Sequence, residues 1–593
     1  MADINICKSQ TGADVLQYEQ FWRAPDKGSI VWVGLLFSVL TLAMLSYQRG
    51  GDEPPEFRGK VLDLTNTFRK LTSQCLILAD FTKPVKGTIE TLVLYLHSEW
   101  SQSKDAEMGI WVAVGMIVRL AMRMGYHRDP EPFPSISPFQ GEMRRRVWSY
   151  VQQADVLFSF QIGLPSMIRS GDCDTVLPRN IYDDEINEDT KELPPSRPRS
   201  APTPVSYMIA KSELALAFGQ AVERSHSLNS CSYEEVMKLD ATLREVRAHL
   251  PAHLRLRPLE ESAMDPAALV MQRFNLSILY NKGQCVLHRK FLDRARGNPR
   301  YAPSRRTCID ASMELLHHQV TLHYESHPGG RLHSMQWALT SLTAHDFLLA
   351  AMIVSLELYY GSQENAGSER ASDLCWGFER KREMTRALEA SKNIWKELKD
   401  QSIEAYKASE MLTVMLSMIH KSCNNQRLVQ PPFFAPPGIT SLMDRPPVIP
   451  AAEEEEPEHS AAMTLGMLSG GLSPNTAAMY NGMYAATTSS TVNIGEVAPT
   501  GTTPQYQMEQ NVNSMASAPS SFSAMVAGNE MMGIAPVNFD WVRGVHIHLH
   551  RRIADDYILA GRVGFLHPRH ESRCESSLAY RYGYTGDHAS QEQ

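Results

Sequence analysis

Eighteen consecutive residues, Ile30 to Tyr47 (IVWVGLLFSVLTLAMLSY), carry no charge, and Lys27 and Arg49 bracket them. A stretch this long and apolar has two possible homes. One is a bilayer, which about 20 apolar residues cross as a helix; the other is the interior of a large helical domain. Neither a cluster of basic residues nor an aromatic belt marks membrane ends here. A buried first helix is therefore expected, with no membrane partner, and the rest of the chain must supply the helices that cover it.

The periodicity of the following residues supplies them. Apolar side chains recur at three- and four-residue spacing through Val61–Ala79, Thr88–Trp100, Met108–Gly125 and Phe139–Phe160. The pattern resumes in Tyr207–Arg224, Glu234–Leu250, Ala267–Asp293, Ser304–Glu325, Leu332–Tyr359 and Arg380–Lys421. Pro130, Pro132, Pro134 and Pro138 interrupt it with a loop, because proline removes an amide donor and fixes φ. The segment 187–204, with Pro194, Pro195, Pro198, Pro202 and Pro204, reads as a solvated linker. No alternating β-branched run is long enough for a sheet. The expected fold is all-α: a short lead over residues 1–20, then one large multi-helix domain over residues 21–423.

Beyond that domain the chemistry changes. From Pro446 to Val542 there is no Lys or Arg, while Glu453, Glu454, Glu455, Glu456, Glu458 and Asp540 supply negative charge. Met463, Met467, Tyr480, Tyr484, Phe539 and Trp541 are scattered among Ser, Thr, Ala and Gly. Low hydrophobicity without a period cannot repay the entropy of ordering, so residues 424–542 are expected to be a disordered acidic C-terminal region. Two readings stand. The acids hold apolar side chains open for a partner's groove, or the segment is a plain flexible tail. Residues 543–593 form a basic, histidine-bearing tail with His546, His548 and His550. That tail is expected to be translated intron or shifted frame, without function.

Charge and cysteine usage limit the chemistry further. Lys and Arg number 58 against 66 acids, a net charge of −8. Proteins that bind nucleic acid across their whole surface are normally basic, so contact with DNA must come from a local patch or another module. The first twenty residues lack the basic and apolar regions of a secretory signal, which places the chain in a reducing compartment. Of nine cysteines the closest two, Cys285 and Cys308, stand 23 positions apart. A zinc cluster needs two sulfurs within a few residues, so that one backbone turn presents both to the ion. No cofactor is expected in this chain, and zinc only on a separate N-terminal cluster.

Two groupings of charged side chains invite a functional reading. Glu142, Arg144, Arg145, Arg146 and Asp155 lie on one expected helix. Three consecutive arginines could grip phosphate, but they fan through about 200° of the axis. Pairing with inward acids is expected instead, since buried charge needs a partner, with Arg119 or Arg123 the candidate cations for Asp155. His323 and His327 stand four apart, as metal ligands on a helix do. The order is not His-Glu-x-x-His, however, and Pro328, Gly329 and Gly330 follow at once. They read as a fraying helix end. With no G-x-S-x-G elbow, P-loop or G-x-G-x-x-G, no catalytic, cofactor-binding or metal residue is assigned, and an enzyme is not expected.

The order of short motifs from Arg119 to Asp183 carries a resemblance. Arg119-Leu120-Ala121 and Gly125-Tyr126-His127-Arg128-Asp129 come first, then Ser137-Pro138-Phe139 and Glu142 through Trp148. Asp155, Ser159, Gly163-Leu164-Pro165, Asp174-Thr175, Leu177-Pro178, Asn180 and Asp183 follow, with Trp337 and His345 through Ala350 downstream. This order resembles the middle homology region of fungal binuclear zinc-cluster transcription factors, over roughly Phe21 to Tyr360. The resemblance implies a helical regulatory and dimerisation region of a nuclear transcription regulator of RNA polymerase II genes, for example in a catabolic or secondary-metabolite cluster. Its implied partners are coactivators at the acidic segment, a second copy or a homologous chain, and DNA through a missing or partner module. The family's six-cysteine cluster is absent, so a regulatory interaction module without direct DNA binding is the alternative.

Overall fold

The structure is a computed structural model that describes residues 21, 23, 28–50, 53–169, 171–227, 231–363 and 376–427. The 1–20 lead, the acidic segment beyond residue 427 and the 543–593 tail lie outside them, with the readings placed there. The described residues form helices α1 (Ile30–Gly50), α2 (Val61–Leu78), α3 (Thr88–Gln102), α4 (Met108–Arg123) and α5 (Pro138–Gln161). They continue with α6 (Ser206–His226), α7 (Tyr233–Ala248), α8 (Ala267–His288), the one-turn α9 (Arg294–Gly297) and α10 (Ala302–Glu325). The last three are α11 (Ser341–Gln363), α12 (Phe378–Leu398) and α13 (Ile403–Arg427). No strand occurs among the described residues.

Helices that follow one another in sequence mostly pack against one another in space. The apolar α1 is covered by α2 and α3. Leu40 and Met44 are fully buried, and Phe37 stacks on Phe68 of α2 with ring centroids 5.9 Å apart. Gly34 lets the two backbones close in, since a Cβ there would lie 3.0 Å from the Cys75 Cβ. Both α1 and α11 are long and apolar enough to cross a membrane, and both are mostly buried against protein instead.

Two expected helices are divided. Leu332–Tyr359 breaks into a 3-10 turn (His333–Ala338) and α11, because the Thr343 hydroxyl takes the Thr340 amide at 2.9 Å and starts a new helix. Arg380–Lys421 breaks between α12 and α13. There Ser402 caps the new helix by accepting from the Ala405 amide at 3.0 Å. Asp105, from the loop after α3, accepts from the Ile403 and Glu404 amides at 3.1 and 3.0 Å. Glu404 returns the favour, taking the Ala106 amide at 3.1 Å. Burial pushes the Glu404 carboxyl up.

Helix α5 is buried on every side and joins two cores. Val147, Trp148, Val151 and Phe158 pack with α3 and α4, while Leu157 and Phe160 pack into the larger cluster formed by α6 through α13. Its cationic residues are all engaged. Arg146, fully buried, meets Glu142 at 3.0 Å and Asp183 at 2.6 Å. Arg145 grips Asp129 through two bonds of 2.9 and 2.7 Å. Arg144 donates to the Met124 carbonyl at 3.0 Å and lies over the Tyr126 ring.

Asp155 departs from expectation. Neither Arg119 nor Arg123 is its hydrogen-bonding partner; its Oδ2 accepts from the Met167 and Ile168 amides at 2.9 and 2.8 Å. Gly163, at φ +71°, ends α5 with Leu164 N on Ser159 O, and the chain then doubles back over the carboxylate. Arg119 bonds the Gly115 carbonyl instead. The 187–204 segment, though largely exposed, is pinned rather than a free linker. The Asn180 amide donates to the carbonyls of Pro198 and Ala201 at 3.0 and 3.2 Å and accepts from Thr203 Oγ1 at 2.6 Å.

Two outcomes follow from these buried groups. Glu142→Gln removes one partner of a fully buried arginine and is expected to cost about 3–5 kcal/mol in urea unfolding. Glu131→Gln, at a carboxylate that is 78% exposed, is expected to change it by less than about 0.5 kcal/mol; equal losses would remove Arg146 as a core tie. His318 of α10 accepts or donates at Ser277 Oγ 2.8 Å away, and burial together with His317 and Arg247 holds its imidazole down to about 4. The unfolded chain takes this proton near pH 6.5 and the folded chain only near 4. Stability is therefore expected to fall by about 3 kcal/mol as pH drops through that window, and to fall less in His318→Gln, as read from unfolding at pH 7 and pH 4.5.

Candidate functional site

Where α3, α5, α6, α8, the 333–338 turn and the start of α11 converge, they leave a cavity of about 90 Å³. That is room for several waters or a small organic group. Trp100, Tyr207 and Trp337 supply aromatic walls. Lys282 of α8 and Asp346 of α11 also border the cavity, as an ion pair at 2.9 Å with both side chains under 5% exposed. The Lys282 ammonium also lies 5.6 and 5.3 Å from the Phe160 and Phe218 ring centres. Desolvating a lysine is costly unless an acid and aromatic faces surround it. Here both do. The pair needs α5, α6, α8 and α11 to be assembled together, so the cavity exists only in the finished fold. Chemically it can take the apolar or aromatic end of a small molecule and offer polar groups from Lys211 and Asn275. A second cavity, between α3 and α4, is about 10 Å³, room for one water at most.

The cavity's residues come from six stretches spread between His97 and Asp346. Trp337 and Asp346 belong to the motif order that carries the resemblance, but nothing in their spacing joins them to the other lining residues.

One row of titratable groups serves the core. Ser304 Oγ, His288 and Asp240 form a row, with His288 Nδ1 2.9 Å from the hydroxyl and Nε2 3.5 Å from the carboxylate. Its order is that of nucleophile, base and acid. All three are at most 4% exposed, however, and neither cavity is lined by them. Burial raises the Asp240 carboxyl, but bonds from His288 and Arg244 outweigh it and hold it down to about 2. The row is an internal tie between α7, α8 and α10. Cys75, Cys173, Cys231, Cys285 and Cys308 are free thiols, and among the described residues no cluster of cysteines converges on a metal position. Glu142, Arg144, Arg145, Arg146 and Asp155 are the core ties described above, and none lines the cavity.

Comparison with known proteins gives this arrangement a context. Residues 14–235 match the fungal specific transcription factor domain. The Zn(2)-C6 fungal-type transcription factor mpsB of Macrophomina phaseolina is 40% identical over 410 residues, covering 69% of this chain and 55% of that protein. The Zn(2)-C6 fungal-type transcription factor pigI of Monascus ruber is 38% identical, covering 68% of this chain and 49% of its own. The equisetin cluster transcription factor eqxF of Fusarium heterosporum is 33% identical, covering 74% and 64%. The chain thus spans about half to two thirds of the length of these relatives. No solved structure matches. Over α1 to α6, residues 14–235 of this all-helical chain are thus similar to the fungal specific transcription factor domain that its relatives share.

Proposed function

We propose that this chain is a nuclear regulator of RNA polymerase II transcription that controls a secondary-metabolite gene cluster through its helical region. The observation that carries the reading is the match of residues 14–235 to the fungal specific transcription factor domain. Relatives such as eqxF, named for its metabolite cluster, support the choice of target. Residues 21–423 act as the regulatory region, and residues 424–542 recruit the transcription machinery through acidic charge spaced among methionine and aromatic side chains. DNA is reached through a zinc-cluster module on a longer form or on a partner, because the net charge of −8 opposes a phosphate backbone. The chain pairs with a second copy or a homologous regulator to do so.

Deleting the coding sequence is expected to lower transcripts of one contiguous set of genes at least tenfold, as measured by RNA sequencing; an unchanged transcript profile would sink the reading. Fusing residues 424–542 to a heterologous DNA-binding domain is expected to switch on a reporter. Replacing Glu453, Glu454, Glu455, Glu456 and Glu458 with glutamine in that fusion should lower the signal severalfold. A silent parent fusion would leave the segment a tether.

A further inference from the structure

The helix pair α10 and α12 carries a second cluster of chemistry-bearing side chains, remote from the cavity. α10 ends at Glu325 and α12 at Leu398. His323 Nε2 lies 2.9 Å from Glu397 Oε2, so the two helix ends lie side by side. His327, just past the end of α10, closes over the pair, its ring 4.5 Å from that of His323. One ligand-capable atom from each of His323, His327 and Glu397 lies within 4.8 Å of the other two.

Three features prepare these atoms for a cation. First, His327 Nδ1 lies 2.7 Å from the His323 carbonyl oxygen. A carbonyl can only accept, so Nδ1 carries the proton and Nε2 keeps a free lone pair. A histidine whose other ring nitrogen donates to a backbone carbonyl is the usual arrangement of a metal ligand. Second, both helices point their C-terminal ends at the cluster, where each helix dipole is negative. Third, a tetrahedral ion with bonds of about 2.1 Å holds its ligand atoms about 3.4 Å apart. His323 and Glu397 need to separate only slightly, and the Glu397 side chain, 60% exposed, is free to move. The comparison with neighbouring pairs is informative. His317 with Glu383, at 4.0 Å, and His420 with Glu389, at 3.9 Å, also join α12 to its neighbours. Neither belongs to a group of three converging ligand atoms among the described residues.

We propose that His323, His327 and Glu397 form a surface site for a divalent transition metal of the zinc class, with solvent in the remaining position. Two imidazoles and one carboxylate select such an ion over magnesium or calcium, which prefer all-oxygen sites. Ligation clamps the C-terminal end of α10 to that of α12. It does not depend on the transcriptional reading, and its test needs no promoter. In sequence the two histidines have the look of a fraying helix end, with Pro328, Gly329 and Gly330 following at once; the third ligand stands 74 positions after His323.

The test is isothermal titration of the full chain with zinc chloride, with magnesium chloride as the control. The parent is expected to take up zinc, with one equivalent lost in both His327→Gln and Glu397→Gln, since each removes one of three protein ligands. Magnesium should give no saturable heat in any of the three. Both side chains are exposed, so the helical circular dichroism of the variants should match the parent. A parent that binds no zinc, or variants that bind it in the same number and with the same affinity, would overturn the site.

Discussion

Burying Arg146 is the constraint on which the rest of this structure depends. A guanidinium taken fully out of water must be met by carboxylates or its charge is ruinous. Glu142 meets it from one turn earlier on α5, and Asp183 from the far side of a long excursion. Burial pushes the Glu142 carboxyl up, and Arg146 opposes that rise. The consequence reaches well beyond one helix. To bring Asp183 home, the chain from Gly163 onward has to fold back over α5, which places the Met167 and Ile168 amides on Asp155. The same return sets Asn180 in position to pin the proline-rich segment ahead of α6. Helix α5 can then face both cores at once.

The motif order from Arg119 to Asp183 is largely a set of structural instructions. Gly125 sits at φ +79° just past the end of α4, where Tyr126 N bonds Ala121 O and Gly125 N bonds Met122 O. A left-handed residue at that position closes a helix, and glycine adopts it without a Cβ penalty. Tyr126 then places its hydroxyl 2.7 Å from Glu90 of α3. Asp129 receives Arg145 and the Val176 amide, so burial of its carboxyl is outweighed and it is held below the usual range. Residues with the look of a charged recognition surface are consumed in holding helices together. Outside these ties lie the cavity beside Lys282 and Asp346 and the exposed ends of α10 and α12.

Much of the fold was legible because helical burial leaves a local period. The boundaries of α2 through α8 fall close to where apolar spacing and proline placed them. The failures were of one kind. The divisions before α11 and α13 are made by a threonine and a serine cap, the second reinforced by Asp105 from a loop nearly 300 positions away. The partners of Asp155 are two backbone amides, and amides leave no signature in a sequence. The 187–204 segment looked solvated because its side chains are, while its backbone carbonyls are held by Asn180.

The sequence by itself determined the helical class, the resemblance over residues 14–235 and the absence of any paired-cysteine metal motif, since each is written in spacing over a few residues. Only the tertiary structure decided which charges are spent inside the core and which groups converge. Arg146 with Asp183, Lys282 with Asp346, and His323 with Glu397 each join residues from different stretches of the chain. Their pairing is set by how the helices pack, and packing depends on side-chain volumes summed across elements rather than on any local pattern. The opening charge-free stretch shows the same division. Its composition demanded burial, and only the packing of α2 and α3 around it showed that protein, rather than lipid, provides the cover.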